Sequence, residues 1–540
     1  MPAANHAPGT GSNKIDIATA SRLSYVSGAS QAKDVEEGYS SVKTPDADGL
    51  YEGGAIRAGG APVLTSRDNI GLLVQYAVVG LVYGMLPETI YPFLQEYLNC
   101  SGAQVTTAST LVVLPWSFKA IYGIISDCFP ICGYRRRPYM LIGWSICLIM
   151  LLVMACLPIG KPYYTVASDR DIDTADYTPE IEARINYDAP SEGAKYVMLM
   201  FFAAFGYVMS DVCADGITAE LAQREPVEVR GKTQTMIYTV RTFVVIIGEI
   251  IVGFCFNGEE YGGDFDFSLS FPQLMILCTV CTVPVLPATW FFIKEEKHEK
   301  PDFKLYISGL WDQLCKRAVY QVIAFTFFYN LFSDISYTAS SPVQSYMVGV
   351  TPINSTLSDI LSNLLFMFGL MATSKWGLRW NWRWMIIFTG AFVIIVDCAT
   401  TLITVWDLVG EGNEGAMYGL VTTVSNVASP FATTLTLVID NPFNLTNARI
   451  QSDDHSVRLD ITYTVIIMYA FTVFAWVFLA LLPSQKEACQ ELLRTGGSNK
   501  WLGGITVFYL TFALVWSVMT NIMAIFDSTS CLVIAGGSGC

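Results

Sequence analysis

Apolar residues in this chain fall into long runs that are apolar nearly all round, separated by short polar stretches. Twelve runs lie near 70–94, 104–127, 138–159, 194–222, 233–256, 270–293, 319–341, 354–376, 383–406, 416–439, 461–482 and 502–525. A bilayer core of about 30 Å needs about 20 such residues as helix. Helices of a soluble core would carry a polar face at helical period, which these runs lack. In lipid a segment of this length satisfies its own backbone only as a helix. The pattern therefore predicts an all-α, polytopic membrane bundle of about twelve transmembrane helices.

The polar stretches give an orientation. Short loops rich in Lys and Arg mark the cytoplasmic side. Such loops carry Arg135, Arg136 and Arg137; Arg224, Arg230 and Lys232; Lys294, Lys297, Lys300, Lys304, Lys316 and Arg317; and Lys375, Arg379 and Arg383. Alternate loops are acidic or neutral, and Asn99-Cys100-Ser101 and Asn354-Ser355-Thr356 fit glycosylation sequons on the far side. The N-terminus is thus expected in the cytoplasm, with the plasma membrane as the default location. Residues 1–67 are rich in Ala, Gly, Ser and Asp without a long apolar run, and read as a disordered cytoplasmic tail. A longer basic linker at 295–318 follows a first bundle at 68–294 and precedes a second at 319–482. Residues 483–540 hold a cytoplasmic loop, an additional span and a short tail.

Composition agrees with this and narrows the function. Charged residues make up 15% of the 540 and mean hydropathy is +0.43, against about 25% charged in soluble domains. A net charge of −15 gives no reason to expect a nucleic-acid partner. The three histidines, His6, His298 and His455, form no catalytic or metal-spaced set, and no phosphate-binding Gly-rich loop is present. No cofactor, metal or enzymatic activity is expected. Of the fourteen cysteines, Cys531 and Cys540 bracket a short Gly-rich C-terminus and can pair if it faces an oxidising compartment.

A weak internal repeat relates the halves. Gly123 to Asp127, then Gly133-Tyr134-Arg135, recurs as Gly369 to Thr373, then Gly377-Leu378-Arg379. Paired six-helix repeats are a mark of major-facilitator transporters, whose substrate lies between the halves near the midplane. Asp127 at a helix end, facing the turn Gly133 to Arg137, suits a latch between neighbouring helices. The alternative is topogenic arginines beside an ordinary helix-terminal acid.

Charges inside apolar runs are costly and mark a pathway or a pair. Lys119 follows Pro115-Trp116 in the second run, Asp211 and Asp215 share one face of the fourth, Arg241 lies in the fifth and Asp334 in the seventh. Counting helical rise from the basic loops puts Lys119, Asp211 and Arg241 at similar depth, about 12–20 Å in. Either the cations and acids balance one another, or a cation is left for an anionic substrate and an acid for a proton. Trp116, Tyr83, Tyr238, Phe328 and Tyr337 can stack on a flat ring or simply pack. Glu249 and Asp397 are further intramembrane acids, and Glu88 is expected at the outer interface.

Leu114-Pro115-Trp116-Ser117-Phe118-Lys119, Gly123 to Asp127 and Gly133 to Tyr139 together resemble the folate–biopterin transporter family. So do Ser210-Asp211 through Asp215 to Glu220, Glu225-Pro226, Arg230-Gly231, and Glu411 to Gly415 leading to Ser425-Asn426. The likeness spans roughly 68–525. It implies a major-facilitator fold, a monomer, and alternating-access transport of folate, a pteridine or an S-adenosylmethionine-type solute, with proton coupling common among such carriers. Lys119 and Arg241 would then suit folate carboxylates, and Asp211 or Asp215 the pteridine.

One departure from the family stands out. Its Glu-Gly-rich stretch precedes the eleventh core helix in the cytoplasm, yet here only Asp407 to Gly410 separate it from the ninth run. The tenth core helix is thus expected to be missing, and 502–525 to be an extra helix beyond the core. Restoring one helix before Glu411 would move Lys486, Arg494 and Lys500 to the cytoplasm and the sequon at Asn444 outside. Loss of that helix would compromise transport, which makes an inactive isoform or relative one alternative reading; a major-facilitator carrier of another small organic solute is the other.

Overall fold

The computed structural model describes residues 59–225, 232–376, 381–401, 418–484, 486–537 and 539–540. Among them the backbone is helical, with four isolated bridges and no named strand. The principal helices are α1 (Ile70–Met85), α2 (Gly102–Val113), α3 (Lys119–Cys128), α4 (Arg137–Cys156), α5 (Gly193–Ala222), α6 (Lys232–Cys255), α7 (Phe271–Thr282) and α8 (Val285–Phe292). They continue with α9 (Phe303–Leu314), α10 (Arg317–Ser333), α11 (Pro352–Trp376), α12 (Trp382–Thr401), α13 (Tyr418–Asp440), α14 (His455–Ala475), α15 (Lys486–Thr495) and α16 (Lys500–Ile525). Among the described residues, eight helical segments are long and apolar enough to cross a membrane: Ile70–Tyr97, Gly102–Cys128, Arg137–Cys156, Ala189–Ala222, Met236–Cys255, Phe271–Phe292, His455–Leu481 and Lys500–Ile525. The other four expected runs are helical as α10 to α13. The protein is a multi-pass membrane bundle. Its larger core draws on residues 78–285 with Ile525, and a second on 319–513.

The two ends of the bundle are identified by what they carry. One holds Arg135–Arg137 and is called the basic end. The other holds Asn99 and is called the sequon end. Close helix contact through small residues sets the middle. A Cβ at Gly80 or Gly84 of α1 would lie 2.4 Å from the carbonyl oxygen of Arg241 or Val245. This presses the backbone of α6 onto α1 and fixes where the Arg241 side chain starts.

The seventh run is not one helix. α10 stops at Ser333, and the stretch before Ser340 is irregular. Its backbone donors are met by α13: Ser336 N–H donates to Thr436 Oγ1 (3.1 Å) and Thr338 N–H to Asp440 Oδ2 (2.6 Å). Irregular backbone is tolerated at this depth because protein side chains take its hydrogen bonds.

Helix directions follow from the contacts. Trp382 N–H donates to the carbonyl of Ser484 (3.1 Å) and Arg383 Nε to that of Leu482 (2.6 Å), so α12 runs antiparallel to α14 and begins at the basic end. α13 ends at Asp440, next to the Thr338 turn at the sequon end. α12 and α13 therefore run the same way. The Val409–Glu411 junction lies outside the described residues, as do residues 1–58, Arg230 and Gly377 to Arg379. Asp397 and Gly369 to Thr373 lie in helices whose side chains are outside the description. Arg317 N–H donates to Gly497 (3.0 Å) and Asn499 N–H to Cys315 (2.7 Å), which puts α15 and the start of α16 at the basic end. The loop with Asn444 lies at the sequon end. α16 packs on α13 through buried Thr434–Thr520 hydroxyls (2.7 Å). Near its end Cys531 and Cys540 form a disulfide.

Candidate functional site

Pro115 ends α2, and Leu114–Phe118 continues as a tight 3-10 turn. A proline cannot donate the helical bond and crowds the preceding turn. The turn delivers Trp116 and Lys119 to the seam between the two halves. Lys119 Nζ lies 2.9 Å from Asp211 Oδ2 and 2.9 Å from Asp215 Oδ2. Asp211 is fully buried and Lys119 nearly so. Tyr76 of α1 donates its hydroxyl to Asp215 Oδ1 (2.6 Å). Taking such charges from water costs several kcal/mol per ion, so the group holds only while each partner is present.

Trp116 joins this group to a second cation. Its ring has Lys119 Nζ 4.7 Å from the centroid and Arg241 Cζ at 4.8 Å. Tyr83 and Tyr238 also lie under the Arg241 guanidinium, at 5.5 and 6.0 Å. Trp116 Nε1 donates to the Tyr207 hydroxyl (3.3 Å), which fixes the indole. Two cations, two acids and an aromatic cluster thus occupy one level, a set able to hold a flat molecule with carboxylates. Asp334 is elsewhere. It follows α10 beside the Ser336–Thr436 contact, and Thr436 stands about 15 Å along α13 from Asn426, which marks the Trp116 level. Phe328 and Tyr337 pack in other clusters, Phe328 against Phe478 and Tyr509 and Tyr337 with Ala339 and Val343.

The seam itself explains Ser425-Asn426. Pro430 inside α13 leaves the Asn426 carbonyl without its helical N–H. Ser117 Oγ of the opposite half donates to that carbonyl, and Asn426 Nδ2 donates back to the Trp116 carbonyl (3.4 Å). A proline in one half thus creates the acceptor that the other half uses. Sequence reasoning placed both segments but not their meeting, because nothing in spacing relates residues so far apart.

At the basic end Arg136 Nη2 lies 2.5 Å from Asp127 Oδ1, and Nη1 donates to Ser126 Oγ (2.7 Å). Tyr306 of α9 donates to Asp127 Oδ2 (3.2 Å). Glu295, which follows α8, accepts the backbone N–H groups of Arg135, Arg136 and Arg137 at 2.7–2.9 Å. An anion on the free N–H groups of a helix start is favourable, and only tertiary structure could reveal this one. Arg137 stacks on Trp290 at 4.7 Å. Gly133 holds φ +85°, which a side chain would strain, whereas Gly123 faces open space.

At the sequon end the two halves repeat one device. π-helical turns Tyr91–Tyr97 and Val343–Val348 each carry a proline at their start, Pro92 or Pro342, and are followed by a left-handed residue, Asn99 (φ +54°) or Gly349 (φ +66°). Pro92 and Pro342, Asn99 and Gly349, and the helix starts Gly102 and Pro352 are each 250 residues apart. The turns clasp reciprocally: Tyr91 donates to the Val350 carbonyl (2.8 Å), and Tyr346 to Asn99 Oδ1 (2.6 Å). Asn447 Nδ2 adds bonds to Asn99 Oδ1 (2.8 Å) and the Cys100 carbonyl (3.1 Å). The Asn99 sequon therefore lies inside the clasp, while Asn354 and Asn444 are exposed.

Residues 79–168 match the BT1 family, a segment containing Leu114–Lys119, Gly123–Asp127 and Gly133–Tyr139. The chain is 23% identical over 186 residues to probable folate-biopterin transporter 4 of Arabidopsis thaliana, covering 34% of this chain and 32% of that one. It is 23% identical over 275 residues to the folate-biopterin transporter of Synechocystis sp., covering 51% and 47%. Over 440 residues it is 19% identical to folate transporter 1 of Plasmodium falciparum, covering 75% and 77%. The chain thus spans 32% of the first of these relatives and 47% of the second. Among solved structures, a D-xylose–proton symporter aligns with a TM-score of 0.41 at 13% identity, over 82% of this chain and 96% of that one.

Proposed function

We propose that this protein is a secondary transporter, not an enzyme, that moves folate, a pteridine or a related flat anionic heterocycle across a membrane by alternating access. The observation that carries the reading is the Lys119–Asp211–Asp215 group, with Lys119 and Asp211 buried, sharing Trp116 with Arg241 at the seam between the halves. A carboxylate entering the site pairs with Arg241 or draws Lys119 from its acids. The ring stacks on the aromatic cluster, and an aspartate accepts its N–H groups. The similarity to proteins named folate and folate-biopterin transporters supports the same class.

The test is uptake of labelled folate, pterin and S-adenosylmethionine by cells expressing the chain. Arg241→Ala and Lys119→Ala are expected to lower saturable uptake more than about tenfold, since removing one partner of a buried charge pair costs roughly 2–5 kcal/mol. Arg241→Lys, at equal surface expression, should restore part of it. Unchanged uptake in both alanine variants would sink the assignment. Preference for S-adenosylmethionine would shift the weight to Asp211 and Asp215.

A second reading, a transport-inactive relative, is favoured by one observation. α12 and α13 run in the same direction, and the stretch between them, residues 402–417, is shorter than the ~20 residues of a bilayer-crossing helix. Uptake only by a chain with one helix restored before Glu411 would establish it.

A further inference from the structure

α16 touches both halves, and it grips them unequally. Its start is pressed onto the second half, where a Cβ at Gly503 would lie 3.2 Å from Cys315 Cα. Tyr509, Leu510, Ala513 and Leu514 then pack into the second core. Further on, Asn521 Nδ2 donates to the Pro430 carbonyl of α13 (3.2 Å). The last two turns also lean on the first half. Val518, Ile522 and Ile525 recur at helical spacing on one face, and they pack into the larger core, with Ile525 2% exposed. The helix therefore lies along the second half and reaches the first only near the sequon end.

Beyond α16 the chain folds back over α13. Ala535 is buried with Leu437 and Ala524. Gly536 (φ +87°) sits so close to α13 that a Cβ would lie 2.6 Å from the Leu437 side chain, and Asn441 Nδ2 donates to the Gly537 carbonyl (3.3 Å). The Cys531–Cys540 bond closes this turn and limits the conformations open to it. Asp527, between the helix and the closed turn, reaches the first half, where its Oδ1 accepts from Gln104 Nε2 (2.9 Å). Gln104 Oε1 in turn accepts the Ser101 N–H (2.9 Å) and so caps the start of α2. Residues 99–104 thus carry three attachments across the seam: Asn99 to Tyr346 and Asn447, Gly102 to Thr338, and Gln104 to Asp527.

We propose that α16 and its disulfide-closed tail are a strap that moves with the second half, catches the first half through Val518, Ile522, Ile525 and Asp527, and holds the sequon end shut. The unequal grip gives the direction of movement. Contacts with the second half run the length of the helix and continue through the tail, whereas the hold on the first is three apolar side chains and one hydrogen bond. Parting the halves breaks the smaller hold and leaves the larger. The disulfide acts through Asp527, because the closed turn on Leu437 keeps that carboxylate within reach of Gln104. The proposal rests on alternating access in the transporter reading, to which it adds a control on opening that lies outside the substrate site.

The test uses the full chain and no substrate. Spin labels at Tyr187→Cys and Ala448→Cys, exposed sites in the first and second halves, report opening once the exposed Cys132, Cys156 and Cys281 are replaced by Ser. Asp527 is exposed, so its variants should fold. Asp527→Ala should raise the long-distance population about two- to tenfold, the worth of one hydrogen bond. Asp527→Asn, which keeps an acceptor for Gln104, should stay close to the native distribution. Removing the disulfide with Cys531→Ser and Cys540→Ser should act in the same direction as Asp527→Ala. Combined with it, the loss should add little, since residues that work through one contact are not additive. An unaltered distribution in Asp527→Ala, or effects of the two changes that simply add, overturns the proposal. Neither result bears on the uptake tests of Lys119 and Arg241, so the two readings fail separately.

Discussion

The ends of the bundle are held by different kinds of contact. At the sequon end the bonds run from half to half: Tyr91 to Val350, Tyr346 and Asn447 to Asn99, and Gln451 Nε2 to the carbonyls of Arg170 and Ile172 (2.8 and 2.7 Å). The segment between α4 and α5 is stiffened by Arg184 on buried Asp169, two bonds of 2.5 Å, and by Arg170 against Glu96 (3.3 Å). At the basic end, Arg136–Asp127, Glu295 on the start of α4, and Tyr306 on Asp127 tie α3, α4, the end of α8 and the linker helix to one another. Such a basic-end latch stiffens a half without itself joining the two halves. The difference teaches that the structure is a state shut at the sequon end, and that mutations of similar chemistry at the two ends should have different consequences.

The hardest blow to the comparison is Gly102→Val. A Cβ at Gly102 would lie 2.0 Å from the carbonyl oxygen of Thr338, backbone against backbone across the halves. Neither side can yield without parting the clasp, and overpacking costs typically 1–3 kcal/mol or more. Folding of each half should survive, since the clash is between them. The expected outcome is a shift toward the open sequon end of roughly tenfold or greater, read by spin labels at Tyr187→Cys and Ala448→Cys, exposed sites in the two halves, with uptake falling accordingly. An unaltered distance distribution would mean that the close approach is not a condition of closure.

A milder contrast pairs Tyr346→Phe with Asp127→Asn. The first removes one hydrogen bond between halves, worth about 0.5–1.5 kcal/mol, and should raise the open fraction about two- to tenfold with little change in thermal stability. The second weakens a charge-assisted pair inside one half. It should lower the melting temperature while leaving the spin-label distances unchanged. If the two variants behave alike, the division between joining and stiffening contacts is wrong.

What was legible beforehand divides along physical lines. Helix existence, and the common depth of Lys119, Asp211, Asp215 and Arg241, could be read because both depend on local periodicity and a constant rise per residue. Asp334 was placed inside the seventh run by its apolar neighbours, yet α10 ends one residue earlier, so the acid sits at a helix break that hydrophobicity alone does not mark. The clasp escaped because its two turns keep only their prolines in common. Their likeness lies in backbone shape, with Cys100 N–H bonding Leu94 and Val350 N–H bonding Gln344, both at 2.8 Å. Glu295 and the Ser117–Asn426 exchange were invisible for another reason: a backbone donor or acceptor left over at a helix break has no residue type of its own. Glu249 was noticed as a lone acid, and its bond from Asn363 Nδ2 of α11 (2.7 Å) depended on helix packing.

The gentlest test leaves folding untouched and asks only where three asparagines face. Asn354 is exposed at the start of α11, and Asn444 is exposed in the loop after α13 with a left-handed backbone. Asn99 shares that end but offers Oδ1 to two donors within the clasp. In a membrane with its sequon end toward the glycosylating compartment, Asn354→Gln and Asn444→Gln should each remove one glycan, seen as a step in gel mobility abolished by glycosidase. Asn99→Gln should remove none. A glycan on Asn99 would show that the clasp forms only after modification is excluded, or does not form as described. The Asn444 result reaches further. That loop shares an end with Asn354 only if the chain changes sides between Thr401 and Tyr418. A glycan there would fix the direction of α13, and with it the Ser117–Asn426 contact on which the candidate site depends.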